Sequence, residues 1–205
     1  MKINFTKLPR RFAVPGKPNG PFAPGYMAGG LSLYLLFGAF APNAVYASEC
    51  RVSLSQPTVD YGVIRRAELW GEQSGRPRFS LGNRTFRLSV ACADVTSMAM
   101  RLTGVPAEAG AFRFGREGHF TLQLQQAQVD GQNVQMRAVH QFDEPANGRL
   151  YPGVVLCAQA GGAPISGRRF TALVNIEAYM PASGMAVGNE TSLEGRGTFE
   201  RVPCA

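Results

Sequence analysis

"YASECRVSLSQPTVDYG", Tyr46–Gly62, joins two kinds of chain: an apolar run ends just before it, a Cys stands at its fifth position, and a V-D-Y-G tetrapeptide follows within a dozen residues of that Cys. The residues upstream explain the junction. Lys2, Lys7, Arg10, Arg11 and Lys17 make a basic leader with no acid before Glu49, and "LSLYLLFGAF" (Leu31–Phe40) is an apolar run of ten residues. Val45 and Ala47 supply modest side chains three residues and one residue before a cut. That layout is a secretory signal peptide, and the apolar run is too short to span a bilayer. Cleavage is expected after Ala47, making residues 1–47 the signal and 48–205 one domain. An earlier cut after Ala41 would put Pro42 first, which is disfavoured.

Cleavage leaves 158 of the 205 residues, enough to bury a real core. The five leader cations go with the signal, so the net charge falls from +7 to +2, and every cation beyond residue 47 is an arginine. The high pI is therefore mostly a property of the leader, and a nucleic-acid partner loses its main support. Cys50, Cys92, Cys157 and Cys204 all lie beyond the cut. An even count in an exported chain reads as two disulfides, for which three pairings exist. The spacing suggests one bridge in each half, Cys50–Cys92 and Cys157–Cys204. No C-x-x-C pair argues for a metal site.

Beyond Cys50 the hydrophobic pattern has period two. Phe86, Leu88, Val90 and Cys92 alternate with Arg87, Ser89 and Ala91. Phe120, Leu122 and Leu124 alternate with Thr121, Gln123 and Gln125, and Phe170 to Met180 repeats the pattern. Each segment is a strand with one dry face. Shorter strands are expected in "RVSLS", "TVDYG", "MAMRLTG", "AFRFG", "GVVLC" and "GTFERV". Turns are expected at Gly82-Asn83, Pro106, Gly115, Asp130-Gly131, Asn147-Gly148, Gly161-Gly162 and Ser183-Gly184, and a bend at Gly195-Arg196-Gly197. About eight short strands with a disulfide framework predict an all-β fold, an antiparallel β-sandwich.

Catalytic residues are hard to assemble. His119 and His140 have no Cys, Asp or Glu at triad or ligand spacing; His119 reads as a surface or strand-edge residue, and Asp143-Glu144 beside His140 as a solvated turn. No nucleophile elbow, zinc-protease helix or phosphate loop occurs. The chain is expected to be neither an enzyme nor a cofactor binder. Arg65, Arg66, Arg76 and Arg78 with Trp70 form the candidate ligand-binding cluster, suited to an acidic or sugar-bearing surface. Asn83-Arg84-Thr85 and Asn189-Glu190-Thr191 match the glycosylation pattern.

The signal, the early Cys50, the Asp60-Tyr61-Gly62 turn and Cys92 closing "TFRLSVAC" together resemble subunits of chaperone–usher fimbriae. "FRFGREGHFTLQLQQAQVDGQ", "FTALVNIEAYMPASGMAV" and "SLEGRGTFERV" resemble their pilin-like, β-fimbrial branch. The resemblance implies a Cys50–Cys92 bridge and an incomplete immunoglobulin-like sandwich, non-catalytic and serving cell adhesion. Its partners would be a periplasmic chaperone, an outer-membrane usher and other fimbrial subunits, met on the way through the periplasm to a fimbrium at the cell surface. A groove lined by Phe86, Leu88, Val90, Phe170, Val174 and Ile176 is expected to take a donated strand. Only Ser48 and Glu49 would precede Cys50 after cleavage, so a terminal or accessory subunit is expected: it accepts a strand but cannot return one. The competing reading is a self-complete secreted sandwich that binds a glycan or other surface ligand through the Arg/Trp region.

Overall fold

The computed structural model describes residues 1–7, 50–65, 76–139, 147–182 and 192–204. Leu31–Phe40, Val45, Ala47, Arg66, Trp70, His140, Asp143-Glu144, Ser183-Gly184 and Asn189-Glu190-Thr191 lie outside the described residues.

Fourteen strands run in chain order: β1 (Lys2–Lys7), β2 (Cys50–Leu54), β3 (Thr58–Asp60), β4 (Arg78–Ser97), β5 (Ala99–Gly104), β6 (Phe112–Phe114), β7 (Gly118–Val129), β8 (Gln132–Asn133), β9 (Gln135–Ala138), β10 (Arg149–Leu150), β11 (Val155–Ala160), β12 (Ala163–Pro164), β13 (Ser166–Pro181) and β14 (Glu194–Val202). One 3-10 turn, Glu108–Gly110, is the sole helical element among the described residues. The expected strands all form; three of the expected segments lie within the long β4, β7 and β13.

The ladders make two layers. One is β2–β4–β13–β7, with β8 and β10 along the outer edge of β7; the other is β11–β5–β14–β1–β3, with β9 and β12 beside β11. The strand β6 links them, pairing with β7 on one side and with β14 through Gly195 and Phe114 on the other. The pairings are antiparallel except for β1 with β14, which is parallel. The first segment after Cys50 serves both layers: β2 pairs with β4, then the chain crosses over Ser55–Pro57 and β3 pairs with β1. Dry faces meet between the layers. Phe86, Leu88 and Val90 of β4 and Phe170, Val174 and Ile176 of β13 are all buried, with Phe86 opposite Val174, Leu88 opposite Ala172 and Val90 opposite Phe170.

Both disulfides are present, Cys50–Cys92 directly across β2 and β4, and Cys157–Cys204 from β11 to the segment after β14. With sequence separations of 42 and 47, each restricts the unfolded chain by about 4 kcal/mol in the loop-entropy model.

Two turn expectations need correction. Gly82-Asn83 does not reverse the chain: it sits inside β4, where the register against β13 shifts between Glu177 and Tyr179. Gly82 takes φ +88 there and donates its N–H to Ser80 Oγ, so the break in pattern marks a β-bulge rather than a hairpin. Gly195 and Gly197 likewise form no bend, but lie in β14. The two-residue hairpins fall where expected, at Asp130-Gly131 between β7 and β8 and at Gly161-Gly162 between β11 and β12.

Candidate functional site

The sequence "KINFTK" alternates, and in β1 it places Ile3 and Phe5 inward, 0% and 4% exposed. The strand fills the position between β14 and β3. Lys2 to Lys7 run parallel to Glu194–Phe199, while Lys2, Ile3 and Asn4 pair antiparallel with Asp60, Val59 and Thr58. Phe5 packs on Phe86, Phe199 and Phe120 at ring-centroid distances of 5.2, 5.5 and 6.3 Å, so it joins both layers. The glycines of β14 make room for it. A Cβ on Gly197 would stand 3.2 Å from the Phe5 ring, and one on Gly195 would stand 3.3 Å from Ile3 and 2.9 Å from the Phe120 ring. This close approach, not a bend, is what Gly195-Arg196-Gly197 accomplishes.

The D-Y-G turn grips the start of the same strand. Asp60 Oδ1 accepts the Gly62 N–H at 2.8 Å, and Gly62 takes φ +70, a conformation that glycine adopts without a Cβ clash. The Tyr61 N–H donates to the Met1 carbonyl, the Met1 amino group donates to the Gly62 carbonyl, and Lys2 Nζ stands 3.7 Å from Asp60. Tyr61 is buried with Arg84 5.3 Å over its ring, and burial pushes its hydroxyl up to about 12. The Gly62 N–H holds the Asp60 carboxyl below its ordinary range, and the Lys2 charge adds to this. A lowered native pKa gives stability that is complete above the unfolded carboxylate value, about 4, and fades as pH falls through the native value. Asp60→Asn should therefore destabilise the chain slightly at pH 7, and the two midpoints of chemical unfolding should converge as pH falls through the lowered native value. A gap that persists unchanged at pH 2 would remove the carboxylate from the explanation.

Of the six residues expected to line a donor groove, Phe86 touches β1 directly. The six belong to the inward faces of β4 and β13, and β1 lies between β14 and β3. Sequence reading missed β1 because its alternation lies inside a basic leader.

A second feature lies on the wet face of β4, β13 and β7. Ser80, His119, Thr121, Gln123, Asn175, Glu177 and Tyr179 line the floor of a cleft of about 610 Å³, and Arg76, Arg78, Asn147 and Arg149 stand around it. Arg76 and Arg78 of the expected ligand cluster are thus brought to one site, while Arg65 is exposed and is not among the cleft residues. His119 is not a plain surface residue: it is half-buried and stacked on Tyr179, with centroids 5.3 Å apart. Burial first and Arg78 second hold its pKa below the ordinary value. The Tyr179 hydroxyl donates to Glu177 at 2.7 Å, and burial followed by Glu177 raises its pKa. Asn83, Arg84 and Thr85 are exposed on β4. No group of three His, Cys, Asp or Glu able to hold a metal occurs among the described residues.

No family model matches the chain, and no curated protein matches it. Among solved structures, the chain is similar to the P pilus rod subunit PapA, at 10% identity and a TM-score of 0.41, over 75% of this chain and 97% of that one.

Proposed function

We propose that this chain is a non-catalytic subunit of a fimbria, in a terminal or accessory position, that accepts a strand between β14 and β3. The observation that carries the reading is β1. A short alternating segment, separate in sequence from the rest of the sandwich, completes the core there with two inward side chains. Cleavage after Ala47 removes that segment together with the signal. The vacated position would expose Phe86, Phe120 and Phe199 beside an unpaired edge of β14, and an extended peptide with alternate apolar side chains can cover both. In this reading a periplasmic chaperone supplies the strand first and a neighbouring subunit later. The usher then passes the subunit to the surface, where it serves adhesion.

The alternative is a self-complete secreted sandwich that keeps β1 and binds a surface ligand; the cis strand favours it. Mass-spectrometric sequencing of the exported protein separates the two. An N-terminus at Ser48, with soluble yield dependent on a co-expressed chaperone, supports the subunit reading. A retained Met1–Lys7 segment and chaperone-independent yield would overturn it.

A further inference from the structure

We propose that the cleft on the wet face of β4, β13 and β7 binds an acidic saccharide, a sugar unit bearing a carboxylate or sulfate. The inference stands apart from strand acceptance, because the cleft lies on the opposite face of these strands from the core residues that the β1 position uses.

Three features converge. The first is size: about 610 Å³ lies in the range of small-ligand sites and suits one or two sugar rings. The second is charge. Arg76, Arg78 and Arg149 oppose Glu177, the one acid among the described lining residues, and neither Arg76 nor Arg78 has an ion-pair partner among the described residues. Glu177 accepts from the Tyr179 hydroxyl and Arg149 Nη2 donates to the Ala109 carbonyl at 3.4 Å, which leaves the Arg76 and Arg78 guanidinium groups for an incoming anion.

The third is unspent hydrogen-bonding capacity. Arg149 Nε and Asn175 Oδ1 are both buried from solvent and have no hydrogen-bond partner among the described residues. An unmade bond at a buried polar atom is costly, so two such atoms at one cleft point to a ligand that supplies an acceptor and a donor together. A sugar acid does this: its carboxylate accepts and its hydroxyls donate. The neighbours fit the same chemistry. Arg149 is steadied by its stack on Tyr151, 5.2 Å from guanidinium carbon to ring centre, and its backbone N–H donates to Asn147 Oδ1 at 2.9 Å. Gln123 Nε2 donates to the Asn147 carbonyl at 2.7 Å, which fixes the cleft's amide edge. The stacked His119–Tyr179 pair offers an aromatic surface to the C–H face of a sugar ring. Ser80 and Thr121 add hydroxyls to the lining, and Ala109, Ala111 and Leu122 supply its aliphatic part.

The test is titration of the full chain, followed by amide NMR, with glucuronate, N-acetylneuraminate, glucose and a hexaglutamate peptide. Saturable shifts at the Asn175 and Gln123 side-chain amides are expected with both acidic sugars. Glucose should bind roughly tenfold more weakly or not at all. Arg149→Gln and Arg78→Gln should each weaken the acidic sugars by roughly tenfold, and Glu177→Gln should strengthen them. Glu177→Gln keeps the test open if an arginine variant fails to fold, since unchanged or weaker binding in it contradicts the charge argument. Glucose binding equally well, hexaglutamate matching the sugars, or no saturable shift with any probe would each overturn the proposal.

Discussion

A chain beginning at Ser48 is expected to be marginal on its own and to be restored by a peptide of residues 1–7 supplied in trans. The magnitude follows from what β1 contributes. Burying Ile3 and Phe5 stabilises by about 2–3 kcal/mol each. The ladders to β14 and β3 add bonds worth about 1 kcal/mol apiece net, less the cost of ordering the strand. A loss on the order of 5 kcal/mol or more is comparable to the whole stability of many domains. Urea unfolding of the full chain and of the Ser48 chain measures the difference, and added peptide should raise the midpoint of the Ser48 chain in a concentration-dependent way. The same peptide with Phe5→Asp should do nothing, because a carboxylate would replace the ring that packs on Phe86, Phe120 and Phe199. A Ser48 chain as stable as the full one, or rescue by the Phe5→Asp peptide, would mean that β1 is not a structural strand.

The same contacts limit an otherwise obvious test. Val174→Lys looks like a way to block a donor groove, yet Val174 is fully buried at mid-strand, opposite Phe86 on one side and Leu124 on the other. An ammonium there would disturb the whole core, at a cost of several kcal/mol. Charge placed on the incoming strand, not on β13, isolates the acceptor.

The sandwich was legible because period-two alternation leaves little freedom in long strands. Phe86–Cys92, Phe120–Leu124 and Phe170–Met180 each have one dry face, and burying three such faces together requires layers. What misled was local chemistry with two structural meanings. A glycine pair reads as a bend, yet Gly195 and Gly197 serve close packing; a Gly-Asn pair reads as a turn, yet Gly82 serves a bulge. Lys2 and Lys7 read as leader charges, although between them Ile3 and Phe5 alternate like any other strand. The cleft was only partly legible. Arg76 and Arg78 stood out as a cationic cluster, but Asn175, Glu177 and Tyr179 are ordinary wet-face residues of β13. Only the register of β13 against β4 and β7 sets Tyr179 beside both Ser80 and His119.

The two disulfides are expected to contribute equally to stability and unequally to strand acceptance. Replacing either pair by alanine should cost about 4 kcal/mol in the full chain, on loop-entropy grounds. Their positions differ. Cys157 lies on β11 opposite Ala99 of β5, and Val202 of β14 faces the same Ala99 from the other side, so this bridge secures the far end of β14. The strand β1 uses the other end, Glu194–Phe199. Cys50–Cys92 instead fixes β2 on β4, and β3 continues from β2 across Ser55–Pro57. Among the described residues β3 has no ladder partner except β1. In the Ser48 chain β3 is therefore held in place chiefly through β2, and the bridge keeps half of the acceptor formed before a peptide arrives. Loss of Cys50–Cys92 should weaken binding of the 1–7 peptide by roughly tenfold or more, an ordering cost near 1.4 kcal/mol transferred to the binding step. Loss of Cys157–Cys204 should leave peptide affinity within about threefold, since this bridge lies outside the Glu194–Phe199 segment that pairs with β1. Peptide titrations of the two alanine pairs in the Ser48 background measure this directly. Equal losses of affinity would show that the acceptor depends on overall stability, with no special part played by the first strand.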